Sequence, residues 1–124
     1  MPLDQVLEAM RRLLREGDRA PDASALVVEC GSHVCNVMGA RGLATAAVIV
    51  PASTAAEAKR LTKMGLVTSD GALFVGTFSM RRADALPAIV AAFVVALVVD
   101  VWKRPEDSPL KISFIKHAEG SIDF

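Results

Sequence analysis

The feature that most constrains this chain is an apolar stretch of fifteen residues, ALPAIVAAFVVALVV, that runs from Ala85 to Val99 without a charged or hydrogen-bonding side chain. No glycine, proline, asparagine or serine occurs between residues 88 and 104, so the stretch should form one element rather than two joined by a turn. It is longer than an ordinary strand, which predicts a helix over residues 85–103. Because valine favours strands, a helix to residue 92 followed by a strand over 93–102 is the alternative.

A helix that is apolar on all sides must be covered on all sides. Ala88, Ala92 and Ala96 form a stripe of small residues that would let another helix approach closely. A chain of 124 residues has little other helix to spare, so we expect a homo-oligomer assembled through the 85–103 helix. The alternatives are coverage by the chain's own terminal helices and a membrane span through residues 85–102, although a span normally needs roughly 20 apolar residues.

The composition supports assembly and argues against several partners. Hydrophobic residues make up 52% of the chain, which is more apolar surface than a small domain needs for its own core. Fourteen basic and fourteen acidic residues cancel, so there is no electrostatic case for binding nucleic acid or an anionic membrane. Two cysteines are too few for a disulfide scaffold, and the N-terminal segment lacks the apolar core of a secretory signal. We therefore expect a cytoplasmic protein with a single domain over residues 1–124.

The order of the other elements predicts the fold class. An amphipathic helix over residues 3–16 precedes a β-hairpin over 25–38, whose turn at Gly31 and Ser32 matches a type II′ turn. From residue 43 onward the pattern predicts strand, helix, strand, helix, strand. This order indicates an α/β domain with a mixed sheet that contains parallel βαβ units, and an α+β arrangement is the alternative.

Three residues of the predicted hairpin are weak candidates for a metal site. The type II′ register places Cys30, His33 and Cys35 on one face of the sheet, and zinc prefers thiolate and imidazole ligands. A closed site needs a fourth ligand that the spacing does not supply. Two buried cysteines beside a histidine near a turn are the simpler interpretation, because free cysteine is among the most buried residue types. We therefore expect no metal and no other cofactor.

Two loops are candidates for a small-ligand site. In a parallel sheet, the loops over residues 51–54 and 76–82 would both follow strands and precede helices, where backbone N–H groups attract anions. Their hydroxyl and guanidinium groups would suit a phosphate or carboxylate. Neither loop matches a known phosphate-binding motif, and Thr54 with Glu57 also forms a capping box. The candidate ligand-binding residues are Ser53, Thr54, Thr77, Ser79, Arg81 and Arg82.

No spacing in the chain matches a catalytic triad or a cofactor-binding motif. The leading hypothesis is therefore a homo-oligomeric binding or interaction domain, with the chain itself as its main partner. An enzyme or ligand-binding protein for a small anion is the alternative, and a membrane-anchored protein is the second alternative.

Overall fold

Residues 2–19, 24–40, 45–79 and 85–116 are described by a computed structural model. They form three helices and five strands, and from β3 onward strands and helices alternate in the predicted order. The helices are α1 (Pro2–Arg19), α2 (Ala55–Lys63) and α3 (Leu86–Ala96), and α3 continues as a π-helical turn over Leu97–Val101. The strands are β1 (Ser24–Cys30), β2 (His33–Ala40), β3 (Thr45–Pro51), β4 (Leu73–Ser79) and β5 (Lys111–Lys116).

The predicted hairpin and its register are confirmed. Cys30 pairs with His33 and Val28 pairs with Cys35 across an antiparallel ladder. Gly31 has a φ of 62°, and Ser32 does not have a positive φ. A type II′ turn requires a positive φ at its first central residue, which glycine adopts most easily, and a negative φ at its second. The local sequence is therefore sufficient to determine the pairing of β1 with β2.

The expected parallel pairing is wrong. The strands form one sheet in the order β4-β3-β2-β1-β5, and every neighbouring pair is antiparallel. The connection through α2 leaves β3 and enters β4 at the same end of the sheet, where the Ala52 N–H donates to the carbonyl of Ala72 at 2.8 Å. The domain therefore combines helices with a single antiparallel sheet, which corresponds to the α+β arrangement that was the alternative. A crossover does follow β4, but it takes the chain to β5 at the opposite edge.

The helices α1 and α3 lie side by side and pack against one face of the sheet. This face carries the buried alternate residues of β1, β2 and β3, and we call it the core face. The residues of α1 and α3 that pack on the core face are buried as well, so the core is one continuous cluster between the helices and the sheet. The residues concerned include Val6, Met10, Leu13, Leu26, Val28, Val37, Val48, Val50, Val90, Val94 and Leu97.

The long apolar stretch forms a single helical element, which excludes the helix-then-strand alternative. Its first residue is Leu86, one residue later than expected, with Ala85 at the N-cap position. Pro87 occupies the first turn, where its missing N–H costs no hydrogen bond. The helix ends near Trp102, whose N–H donates to the carbonyl of Leu97 at 2.8 Å.

Candidate functional site

A polar cluster forms where the β1–β2 turn, the start of α2 and the segment after α3 meet. His33 Nε2 lies 3.2 Å from Glu57 Oε2, and His33 Nδ1 lies 3.5 Å from both Nε and Nη2 of Arg104. The imidazole ring stacks on the indole of Trp102, with ring centroids 5.3 Å apart. Three segments that are distant in sequence therefore converge on one histidine, whose side chain is 19% exposed.

The neighbours of His33 determine which ring nitrogen carries the proton. Arg104 offers only hydrogen-bond donors, so Nδ1 must act as the acceptor. Nε2 then carries the hydrogen and donates it to the carboxylate of Glu57. Hydrogen on Nε2 therefore satisfies both neighbours of the ring.

Glu57 is the acidic member of the cluster, and only 8% of its surface is exposed. Burial raises the pKa of its carboxyl group. Hydrogen bonds from the backbone N–H of Ser53 at 3.2 Å, from His33 and from the Ser53 hydroxyl at 3.1 Å outweigh that effect. The net result lowers the pKa of Glu57 below its ordinary value. Glu57 is therefore a carboxylate near neutral pH.

The segment that carries Trp102 and Arg104 departs from regular helix geometry. It follows the π-helical turn, and Lys103 is the one non-glycine residue with a positive φ, 55°, in the described part of the chain. Trp102 is 5% exposed, and its Nε1 has no hydrogen-bond partner among the described residues. Both π-helical turns and unsatisfied buried polar atoms are enriched at functional sites. These features mark the cluster as the strongest polar site of the described structure.

The cluster does not present an activated nucleophile within the described ranges. The Ser53 hydroxyl donates to Glu57, not to His33. Cys30 and Cys35 are free thiols buried on the core face. Burial raises the pKa of the Cys35 thiol to about 12, so this thiol stays protonated near neutral pH. The contacts of the cluster hold the β1–β2 turn against the start of α2 and the segment after α3.

The candidate metal residues share a face as the sequence predicts. The imidazole of His33, however, contacts Glu57 and Arg104. Across residues 2–19, 24–40, 45–79 and 85–116, no group of three histidine, cysteine or acidic side chains is close enough to hold a metal ion.

The two loops of the candidate anion site are separated by the antiparallel pairing. Ser53 and Thr54 follow the last residue of β3, whereas Thr77 and Ser79 lie at the other end of that strand pair, where Ser79 pairs with Thr45. The length of the paired strands places the two groups about 20 Å apart. The prediction assumed parallel strands, whose carboxyl ends would have met at one edge.

Two further observations concern that candidate site. Arg81 and Arg82 lie outside the described residues, so their placement is not tested. The Thr54 hydroxyl accepts the Glu57 N–H at 3.1 Å, which is the N-cap half of the predicted capping box. The carboxylate of Glu57 already lies at this helix start, where an external anion would have to bind. Binding of an anionic ligand here stays a prediction.

The face of the sheet opposite the core face carries many apolar residues with polar ones such as Asn36 and Ser113 between them, and we call it the outer face. Except for Ala25, its residues with described side chains are half-exposed or exposed. Val67 pairs with Val75 beside β4 and extends this face, and at 70% it is the most exposed large hydrophobic residue described. Ala25 at one corner is buried. The apolar residues of the outer face are Val27, Val34, Met38, Ala47, Ile49, Val67, Leu73 and Val75.

The sequence alone indicated His33 but not its partners. Glu57 is recognisable as part of a capping box, yet its carboxylate bonds Ser53 and His33 because the β1–β2 turn lies beside α2. No local pattern connects Trp102 and Arg104 with a hairpin seventy residues earlier.

Comparison of the chain with protein-family models, with curated proteins and with solved structures finds no match. Among the described helices, none has the length and apolarity required to cross a membrane.

Proposed function

We propose that this chain is a homo-oligomeric binding domain whose subunits pack against each other through the outer face of the sheet. The observation that supports this most directly is the composition of that face. An antiparallel sheet with one solvated face normally alternates apolar and polar residues, so that the solvated side is polar. Here the strands carry apolar residues on both faces, and the described helices cover only one of them.

The size of the outer face fits a second copy of the chain. Five strands at about 4.8 Å spacing and about six residues each give a surface roughly 24 Å wide and 20 Å long. That footprint of about 480 Å² lies near the lower limit of roughly 500 Å² per partner for a specific interface, which commonly buries roughly 800 Å² per partner. Two such sheets would pack face to face at about 10 Å, as in β-sandwiches.

The charges on the outer face also permit contact between two identical faces. Glu29 and Lys111 are its charged residues in the described strands, and they are direct cross-strand neighbours at one corner. The centre contains the cross-strand row Val27, Asn36 and Ile49. A twofold axis through this region would bring no like charges together at the centre.

The 85–103 helix, which the sequence favoured as the interface, now has weaker support. Its buried side packs on α1 and on the sheet, so the chain covers much of the helix by itself. The exposed strip consists of Ala88 and Ala92, with Val99 at 37% exposure. This strip is narrower than the outer face and offers smaller side chains.

The test measures molar mass in solution by light scattering across a concentration series up to high micromolar. We expect a dimer for the wild-type chain and a monomer for Ile49→Lys, because the substitution buries an unpaired charge at the interface. The matched control is Ala92→Glu, which places a charge on the exposed strip of α3 and should leave the dimer intact. Circular dichroism confirms that both variants are folded.

Two results would contradict the proposal. A wild-type monomer at high micromolar concentration would remove self-association altogether. Dissociation by Ala92→Glu but not by Ile49→Lys would place the interface on the helix that the sequence favoured.

A further inference from the structure

A second apolar surface lies on the other side of the molecule, between α1 and the edge strand β5. It is an open groove of about 820 Å³. Its floor is apolar and comes from the core-face residues Leu26, Leu110, Ile112 and Phe114. The three residues from β5 and the segment before it are only partly buried, because no further strand in the described part of the chain lies beyond β5.

The wall of the groove is polar and belongs to α1. Asp4 and Glu8 supply carboxylates, while the Arg12 guanidinium lies 4.5 Å above the centre of the Phe114 ring. Asp4 is two helical turns before Arg12, about 12 Å along the helix axis. The groove therefore has an acidic end and a cationic end, and the cation is engaged with an aromatic ring. Glu8 also forms an exposed ion pair with Arg11 at 3.6 Å, which is a weak interaction.

The two edges of the sheet differ in how far they are blocked. At the β4 edge, Val67 and Val75 exchange two backbone hydrogen bonds of 3.0 and 2.8 Å, so the chain itself occupies part of that edge. At the β5 edge, the described residues provide no such partner. Within the described ranges, the backbone N–H and C=O groups along one side of β5 have no strand partner, and an added strand could pair with them.

We infer that the groove between α1 and β5 binds an extended peptide segment of a partner protein, which adds to β5 as a sixth strand. A groove bounded by an edge strand and a helix is the geometry in which strand addition combines backbone hydrogen bonds with side-chain selection. Side chains at alternate positions of the segment would point into the groove. Apolar side chains fit the floor over Ile112 and Phe114, and a lysine or arginine fits the end at Asp4 and Glu8.

The experiment uses four amidated heptapeptides as probes, each with a fluorophore attached to its N-terminus. TVTVTKT and TKTVTVT carry a lysine at either end of the groove-facing positions and so cover both strand directions. TVTVTET and TETVTVT are the matched peptides with glutamate in place of lysine. We expect one lysine peptide to bind with a micromolar dissociation constant, and its glutamate counterpart to bind about tenfold more weakly, because attraction to two carboxylates becomes repulsion.

The protein variants test the same contact from the other side. The double change Asp4→Lys and Glu8→Lys should reverse the preference, so that the glutamate peptide binds more tightly than the lysine peptide. The control double change Asp100→Lys and Glu106→Lys alters two exposed acidic residues outside the groove lining and should leave both affinities unchanged.

Amide hydrogen exchange distinguishes strand addition from other modes of binding. Binding of the lysine peptide should slow exchange in β5 and leave β4 unchanged. The inference is wrong if no peptide binds at millimolar concentration, if the charge reversal at Asp4 and Glu8 leaves the preference unchanged, or if protection appears at β4. Ile49→Lys should not alter peptide affinity, so this inference and the proposed self-association fail independently.

Discussion

Both faces of the sheet carry apolar residues, but the outer face mixes them with polar side chains, and no described helix covers it as α1 and α3 cover the core face. On the core face, Leu26, Val28 and Val48 are at most 1% exposed beneath α1 and α3. On the outer face, Val27 and Ile49 alternate with them along the same strands and remain half-exposed. Apolar patterning alone therefore does not show which face a domain covers with its own helices. In the proposed assembly, one face stabilises the subunit and the other joins subunits.

The strongest test of this comparison uses neighbouring residues of β1. Leu26→Ala should lower the free energy of unfolding by about 2–5 kcal/mol, because it leaves a cavity in the closed core. Val27→Ala, on the opposite face, should cost less than about 1 kcal/mol when measured at a dilution that separates the subunits. Urea denaturation followed by circular dichroism measures both values. Equal losses would mean that the outer face is covered within a single subunit.

The second test concerns the polar margin of the core face, where His33 contacts Glu57. Glu57→Gln keeps the size of the side chain but removes its charge, and should lower the free energy of unfolding at neutral pH by about 1–3 kcal/mol. The control is Glu106→Gln in the exposed turn after α3, which should change stability little. A loss no larger than that of the control would show that the cluster does not stabilise the fold.

The stability difference between wild type and Glu57→Gln should also depend on pH. The pKa of Glu57 is lowered in the folded state, so the unfolded chain binds the proton more tightly. The stabilisation is therefore complete above the unfolded pKa of about 4.3 and is lost as the pH falls through the lower folded value. The stability difference between wild type and Glu57→Gln should shrink below about pH 4. A difference that stays constant from pH 7 to pH 3 would contradict this assignment.

The smallest effect is expected at the start of α2, which lies at the end of the sheet. Thr54→Ala removes the N-cap hydrogen bond and should cost about 1 kcal/mol. Thr62→Ala is the control within the same helix. Its hydroxyl donates to the Ala58 carbonyl at 2.9 Å, an exposed contact that contributes little. The free energies of unfolding of both variants, measured by chemical denaturation, separate the loss of the N-cap hydrogen bond from the general effect of losing a hydroxyl group.

Several local features could be predicted because they depend on residues close together in the chain. The turn at Gly31 determined the pairing of β1 with β2, and Thr54 with Glu57 marked the first turn of α2. Long-range contacts could not be predicted in this way. Arg104 reaches His33 from seventy-one residues away, and no spacing in the sequence encodes that contact. The candidate anion site was separated for the same reason, since its proximity depended on an assumed strand direction.

Local sequence patterns were enough to predict the type and order of the elements, the hairpin register and one long apolar helix. These depend on hydrophobic periodicity and on turn and capping residues, which act over a few positions. The strand order, the antiparallel direction of every pair and the location of the uncovered outer face instead depend on contacts between distant segments. Those choices depend on which end of the sheet each connection returns to and on which face the helices cover. A strand such as β3, apolar on both faces, is compatible with several answers until its neighbours are in place.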